Sequence, residues 1–375
     1  MSPYDILIKN GIVVERGIPV HRPIALRHGF IVPCEDANNE AKRVIDARGY
    51  YVVPGLIDAH VHTFFQASDL GISADLSMIP QGVTAVVDAG TSGVANYQIF
   101  LSQNRTQLVK SKVFLNVSPG GIATYQYREP IVRETWSQDA FAEAIERSPD
   151  EILGLKLRLS RDIVKTDVLA TLDKAAQMAH NLGIRLCIHV TNTEYKQTEF
   201  LRFLEKGDIY CHMYHGTGET ILDEHGRVYE EFFLAQEKGI IMDAASGKFN
   251  FSCEVARAAM EQGFLPDIIS SDATKSNLFF EYVECGLPYI MSRFLALGME
   301  PEQIFDRVTR KPAQLLGLEG GSLEEGMPAD VSIFELKEHR TIFRDIHGVL
   351  LQGEKLFVPK ATVVNGNLMY KQIDF

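Results

Sequence analysis

Two histidines one residue apart, His60 and His62, close an otherwise apolar run, Gly55-Leu56-Ile57-Asp58-Ala59-His60-Val61-His62. Alternate residues of an extended strand share a face, so both imidazoles point the same way. In Gly154-Leu155-Lys156-Leu157-Arg158-Leu159-Ser160 the same alternation gathers Lys156, Arg158 and Ser160 on one face and leucines on the other. Polar groups on the inner face of a buried strand are costly unless they have partners. Further candidates stand at the ends of later apolar runs: His189, His212, His215 and Asp272. Neutral imidazoles and carboxylates are ligands for zinc and similar divalent ions, so a metal site is the economical explanation.

Something must bring these distant positions together. Strand-like runs occur at 51–62, 83–90, 113–119, 154–160, 185–191, 208–216, 239–247 and 267–273. Amphipathic stretches of helical length separate most of them, at 165–182 (closed by Gly183), 194–206, 226–238 and 251–263. Eight strands alternating with helices predict an α/β fold, a (β/α)₈ TIM barrel, whose chemistry gathers at the C-terminal ends of the strands. No G-x-G-x-x-G turn follows the early strands, which counts against a doubly wound sheet. Both ends of the chain are β-rich, at 5–14, 23–33, 329–334, 347–352 and 361–370. The expected organisation is a small β-sandwich from residues 1–53 and 320–375 beside a barrel from 54–319.

Composition narrows the partners. The net charge of −12 argues against nucleic acid, which needs a cationic surface. No stretch reaches the roughly 20 apolar residues of a membrane span, and Met1-Ser2-Pro3-Tyr4-Asp5 lacks the basic start of a signal peptide. Five scattered cysteines make neither a disulfide framework nor a thiolate zinc site. The expectation is a cytoplasmic enzyme of a small molecule, a homo-oligomer without membrane or nucleic-acid partners.

The motifs and their order resemble those of the amidohydrolase superfamily, in particular its dihydroorotase-like binuclear members. The matching segments are Pro54 through His62, Lys156, Ile188-His189-Val190, Cys211-His212 and Ser271-Asp272. Val308-Thr309-Arg310-Lys311-Pro312-Ala313 and Gly326-Met327-Pro328-Ala329-Asp330-Val331 add to the likeness after the barrel. The resemblance implies two divalent ions, expected to be zinc. His60, His62 and Asp272 would hold the more buried one and His189 and His212 the other, with Lys156 bridging both as an N6-carboxylate. A free ammonium beside two dications would be repelled, whereas burial and neighbouring cations favour the neutral amine that CO₂ traps. The plainer alternative is a barrel lysine paired with an acid such as Asp272. A hydroxide bridging the ions would attack a substrate carbonyl, with Asp272 carrying the proton to the leaving group; Asp272 could instead be a helix cap.

Substrate contacts are less well marked. Arg158 could grip a carboxylate or form a structural ion pair. In an extended run only one of His212 and His215 can face inward; His212 matches the family, and His215 is a candidate substrate contact, as is Tyr214. Asp58 shares the His60 face but lies deeper, in a supporting position. Gly90-Thr91-Ser92-Gly93 could receive an anion or simply turn, and Tyr125, Tyr127 and Arg128 are candidate cavity walls. Dihydroorotases usually carry an arginine two residues after the second histidine, where this chain has Phe64. A bridging lysine counts against mononuclear deaminases, and Asp243-Ala244-Ala245-Ser246-Gly247 lacks the histidine of Gly-His-Gly relatives. The expected function is hydrolysis of an amide or ester in a small carboxylate-bearing compound, foremost as a deacetylase or deacylase. The alternatives are a cyclic amidohydrolase of the dihydroorotase or hydantoinase kind and a catalytically silent scaffold.

Overall fold

A computed structural model describes residues 3–34, 40–124, 126, 128–278 and 286–375. Tyr125 and Tyr127 lie outside the described residues.

The first seven strands are β1 (Tyr4–Lys9), β2 (Ile12–Glu15), β3 (Ile18–Val20), β4 (Ile24–Arg27), β5 (Phe30–Val32), β6 (Ala41–Asp46) and β7 (Tyr51–Pro54). A parallel series follows: β8 (Leu56–Val61), β9 (Val83–Gly93), β10 (Lys110–Asn116), β11 (Ile152–Arg158), β12 (Arg185–His189), β13 (Ile209–Cys211) and β14 (Ile241–Asp243). The chain ends in β15 (Val331–Arg344), β16 (Leu350–Val364) and β17 (Asn367–Lys371).

Strands β8 to β14 pair in sequence order as one parallel sheet. The last of the eight expected runs, 267–273, forms no strand of its own, yet it joins the two edges of that sheet. Asp243 bridges Ile268 and Val61 bridges Ala273, both in parallel. Backbone N–H groups of Ala244, Ser246 and His62 donate to the carbonyls of Ile268, Ser270 and Ala273, and that of Asp272 to His60. The curled sheet is thereby tied edge to edge through the segment that carries Asp272.

Strand cores such as Leu155, Leu157, Leu186, Ile188 and Val190 are solvent-free and pack against the outer helices. The helix expected over 165–182 runs Val168–Asn181, buries Leu172, Ala175, Ala176 and Ala179 along one stripe, and stops before Gly183. The stretch 194–206 gives only one short helix, Thr198–Leu201. Helix Cys253–Glu261 begins on Ser252, whose Oγ accepts the Val255 N–H at 3.3 Å, a cap worth about 1 kcal/mol.

The chain ends do pair with each other. β7 runs antiparallel to β15 and parallel to β2 in a six-stranded sheet ordered β17-β16-β15-β7-β2-β3. β5-β4-β1-β6 form a second sheet. Ile6, Ile8, Leu26 and Ile31 from one and Val52, Ile333 and Val363 from the other share an apolar cluster. Among the described residues no helix is long and apolar enough to cross a membrane.

Candidate active site

A cavity of about 430 Å³ opens at the C-terminal ends of the barrel strands, lined by His60, His62, Lys156, His189 and Asp272 among others. His60 comes from the end of β8 and His62 from the residue after it, Lys156 from β11, His189 from the end of β12 and His212 from the residue after β13. Gly90 makes room for the lysine. Its φ is +87°, and a Cβ there would sit 2.6 Å from the Lys156 Cβ.

Each histidine is held by one ring nitrogen. His60 Nδ1 lies 3.3 Å from Asp243 Oδ2. The other Asp243 oxygen accepts from Ser270 Oγ at 2.6 Å and from the Ala245 N–H at 3.1 Å. His62 Nδ1 lies 2.7 Å from Thr91 Oγ1, whose hydroxyl donates to Asp88 Oδ2 at 2.8 Å. His212 Nδ1 lies 2.6 Å from the Ala245 carbonyl. A nitrogen facing these acceptors carries the proton, so the Nε2 lone pairs are left free. His60 Nε2 is 3.5 Å from Lys156 Nζ and 3.7 Å from Asp272 Oδ1. His62 Nε2 is 3.4 Å from the same oxygen. His212 Nε2 is buried with no hydrogen-bond partner among the described residues, which leaves a desolvated lone pair at appreciable cost. His189 bonds Thr191 Oγ1 through Nε2 at 2.7 Å and keeps Nδ1 as its other nitrogen. Its ring stands 4.2 Å from that of His212.

Burial drives the pKa of His60, His189 and His212 well below that of ordinary histidine. Neutral imidazoles are the form that binds metal. Burial alone would raise the Asp272 pKa. The adjoining His62, with Nε2 3.4 Å away, and the neighbouring His60 and His212 outweigh it and hold the carboxyl well below the usual range. Asp272 Oδ2 accepts from Asn250 Nδ2 at 3.0 Å. Asp272 and His212 both sit in the left-handed backbone region, at φ +54° and +59°, a conformation that non-glycine residues hold only where their surroundings enforce it. The residues fit a divalent cation. Ligand atoms of His60, His62 and Asp272 lie within 4.8 Å of one another, and the His212 ring, with its orphaned Nε2, stands 5.1 Å from that of His60.

Lys156 stands beside two sulfurs. Burial disfavours its ammonium, but the sulfurs of Cys187 and Cys211, at 3.4 and 3.5 Å, together with Asp272, reverse that and raise its pKa. No Cys-x-x-Cys spacing in the sequence pairs these two sulfurs. The register Lys156↔Cys187 between β11 and β12 is what brings one of them there.

Arg158 lines the cavity and is also ion-paired. Nη1 is 3.7 Å from Glu129 and Nη2 is 3.4 Å from Asp162, while Nε donates to Ser160 Oγ at 2.8 Å. Tyr214 and His215 do not line the cavity, which corrects their expected role as substrate contacts. β13 ends at Cys211 and the chain turns at once, the His215 N–H donating to the His212 carbonyl at 2.9 Å. Strand alternation therefore no longer applies. The Tyr214 hydroxyl donates to the Phe264 carbonyl at 2.7 Å, deep in the core. His215 is fully buried, and burial lowers its pKa to about 4. Asp58 is buried and accepts the Ser271 N–H at 2.9 Å. Arg128 pairs with Asp162. Thr91 and Ser92 belong to β9, where Thr91 serves His62. The orienting acids Asp88 and Asp243 were missed; each stands near the end of an apolar run, the only sign the sequence offered.

The sequence profile of the amidohydrolase family matches residues 51–369. The chain belongs to this family. Over 376 residues it is 30% identical to a deacetylase of Enterococcus faecalis, covering 97% of this chain and 99% of the relative. It is likewise 30% identical to a deacetylase of Agrobacterium fabrum over 332 residues, 85% of this chain and 79% of that one. Among solved structures, an adenine deaminase superposes with a TM-score of 0.90 at 28% identity, covering 98% of this chain and 100% of that one. A dihydroorotase does so at 0.87 and 27%, covering 98% of both. This amidohydrolase therefore has the TIM-barrel fold of its relatives and is a metal-dependent hydrolase.

Proposed function

We propose that this amidohydrolase removes an acyl group, acetyl in the simplest case, from a small carboxylate-bearing compound by cleaving an amide or ester bond. One juxtaposition carries the reading: Nε2 of His60 and of His62 and the carboxylate of Asp272 meet in the cavity beside Lys156, and the His212 ring, its Nε2 without a hydrogen-bond partner among the described residues, stands 5.1 Å from that of His60. Two divalent ions, zinc by the nature of the donors, would polarise a substrate carbonyl and acidify a water there. In this proposal His60, His62 and Asp272 hold one ion and His189 and His212 the other. Lys156, as its N6-carboxylate, would be a ligand to both; bound dications would disfavour its ammonium against the pull of the sulfurs.

The chain's own groups then divide the work. Asp243, Thr91 and the Ala245 carbonyl fix the imidazoles. Asp272 takes the proton of the attacking water and delivers it to the leaving group, with the Asn250 amide steadying Oδ2. Arg158 lines the cavity and would meet a substrate carboxylate there. We further read the terminal sheets as a small sandwich domain, 1–53 and 320–375, beside the 54–319 barrel, in a cytoplasmic homo-oligomer.

The relatives named deacetylase support acyl removal. A dihydroorotase reading is disfavoured, because Phe64 is buried with its ring 4.7 Å from Phe100 and offers no grip on a carboxylate. Metal analysis with isotope-labelled CO₂ tests the site, with about two ions per chain and labelled Lys156 expected. Turnover of N-acyl amino acids and acetylated hydroxy acids, but not cyclic ureides, is then expected. A protein that binds no metal and turns over none of these would be the silent scaffold instead.

A further inference from the structure

The arms β15 and β16 form a hairpin that leaves the terminal sheet and runs along helix Leu287–Ala296. Ser292 Oγ accepts the Phe357 N–H at 2.9 Å, and the Phe343 ring lies 4.9 Å from Tyr289. Its tip, residues 345–349, is tied to the barrel. Asp345, 4% exposed, accepts the Cys253 N–H at 2.8 Å through one oxygen and those of His347 and Val349, each at 2.9 Å, through the other. Two of these bonds shape the tip and the third anchors it to the first turn of helix Cys253–Glu261. On its other side the tip closes onto the chain after β13. A Cβ at Gly216 would sit 2.6 Å from His347 Nε2 and 2.7 Å from Ser252 Cβ.

The two loops gripped in this way also build the cavity, supplying Thr217 from one and Phe249 and Asn250 from the other. Between Asp345 and His347 stands Ile346, which lines the same cavity while 41% exposed; Phe249 is 49% exposed. Two large apolar side chains thus stand partly open to solvent on the cavity wall, Phe249 with the Lys248 ammonium 5.1 Å from its ring. They gain contact when a ligand's apolar part covers them.

We infer that the hairpin tip is a wall of the active cavity and that Ile346 selects substrates carrying an apolar group away from the scissile bond. This rests on the metallohydrolase reading of the same cavity. Alkyl hydroxamates provide the probe, since their head chelates divalent ions while the chain length varies. Affinities of acetohydroxamate and hexanohydroxamate for the metal-loaded protein would be measured by calorimetry. Each methylene that reaches the wall should raise affinity up to about fourfold. Ile346→Ala should lower the hexano-to-aceto affinity ratio about tenfold. Ile99→Ala, which trims an equally apolar residue 61% exposed on helix Tyr97–Asn104, should leave the ratio where it was. A ratio unchanged in Ile346→Ala, or no gain with chain length in the unaltered protein, overturns the inference alone. Failure of acetohydroxamate itself to bind would instead refute the metallohydrolase reading and remove the selectivity with it.

Discussion

His215 offers a test of the site's boundary that needs no substrate. Burial takes its folded pKa to about 4, with the nearby His347 acting in the same direction, whereas an unfolded histidine titrates near 6.5. The unfolded chain therefore binds the proton more readily, and stability falls as the pH drops below about 6.5, the loss being complete below about 4. Over the full window the linkage amounts to about 2.5 pH units at roughly 1.4 kcal/mol each, or about 3 kcal/mol. At pH 5 about 2 kcal/mol of it has been lost. His215→Phe keeps a ring and removes the titration. Urea unfolding of both metal-stripped proteins at pH 7.5 and pH 5.0 isolates the effect, because the remaining histidines cancel in the difference. The variant should lose about 2 kcal/mol less than the unaltered protein between the two values. Parallel losses would mean that His215 is solvated in the folded state, and the reasoning that removed it from the cavity would fail.

Asn250→Ala removes the side-chain donor to Asp272 Oδ2, a hydrogen bond to a charged acceptor worth about 1.5 kcal/mol where water can enter. About tenfold lower kcat with unchanged metal content is expected; unchanged kcat would deny Asn250 its role in holding the carboxylate. Lys156→Ala should lose metal and activity together, with a short carboxylic acid restoring part of both, as elemental analysis and rate measurements would register. Arg158→Met should chiefly raise KM for carboxylate-bearing substrates. A KM that stays put would leave Arg158 to its ion pairs with Glu129 and Asp162.

The barrel was legible because its strands are apolar through their length and end in polar residues, so both position and direction could be read. The run 267–273 reads as a strand, yet the structure forms none there. It meets β14 and β8 through isolated bridges and single hydrogen bonds, which no local pattern encodes. The terminal hairpin was misjudged for a clearer reason. The runs 329–334 and 347–352 read as separate strands because Lys337-Glu338-His339-Arg340 between them is polar. Those residues are exposed strand, on the arm that projects beyond the sheet, and an element without a buried face has no alternation to detect.

In the cavity one rule explains both what was found and what was misplaced. Side-chain alternation holds while the backbone stays extended, and it holds for His60 with His62 and for Lys156 with Arg158. It stops within β13, only three residues long, and so it misplaced Tyr214 and His215. The groups that set the histidine tautomers depend on something else, the register between strands and the turns after them. Thr91 reaches His62 across the β8–β9 pair, and Asp243 reaches His60 across the edge that the 267–273 segment ties. A single sequence records which residues end a strand, but not which end stands beside which. The imidazoles could therefore be named from their own runs, while the acids and hydroxyl that orient them became visible only when the sheet curled.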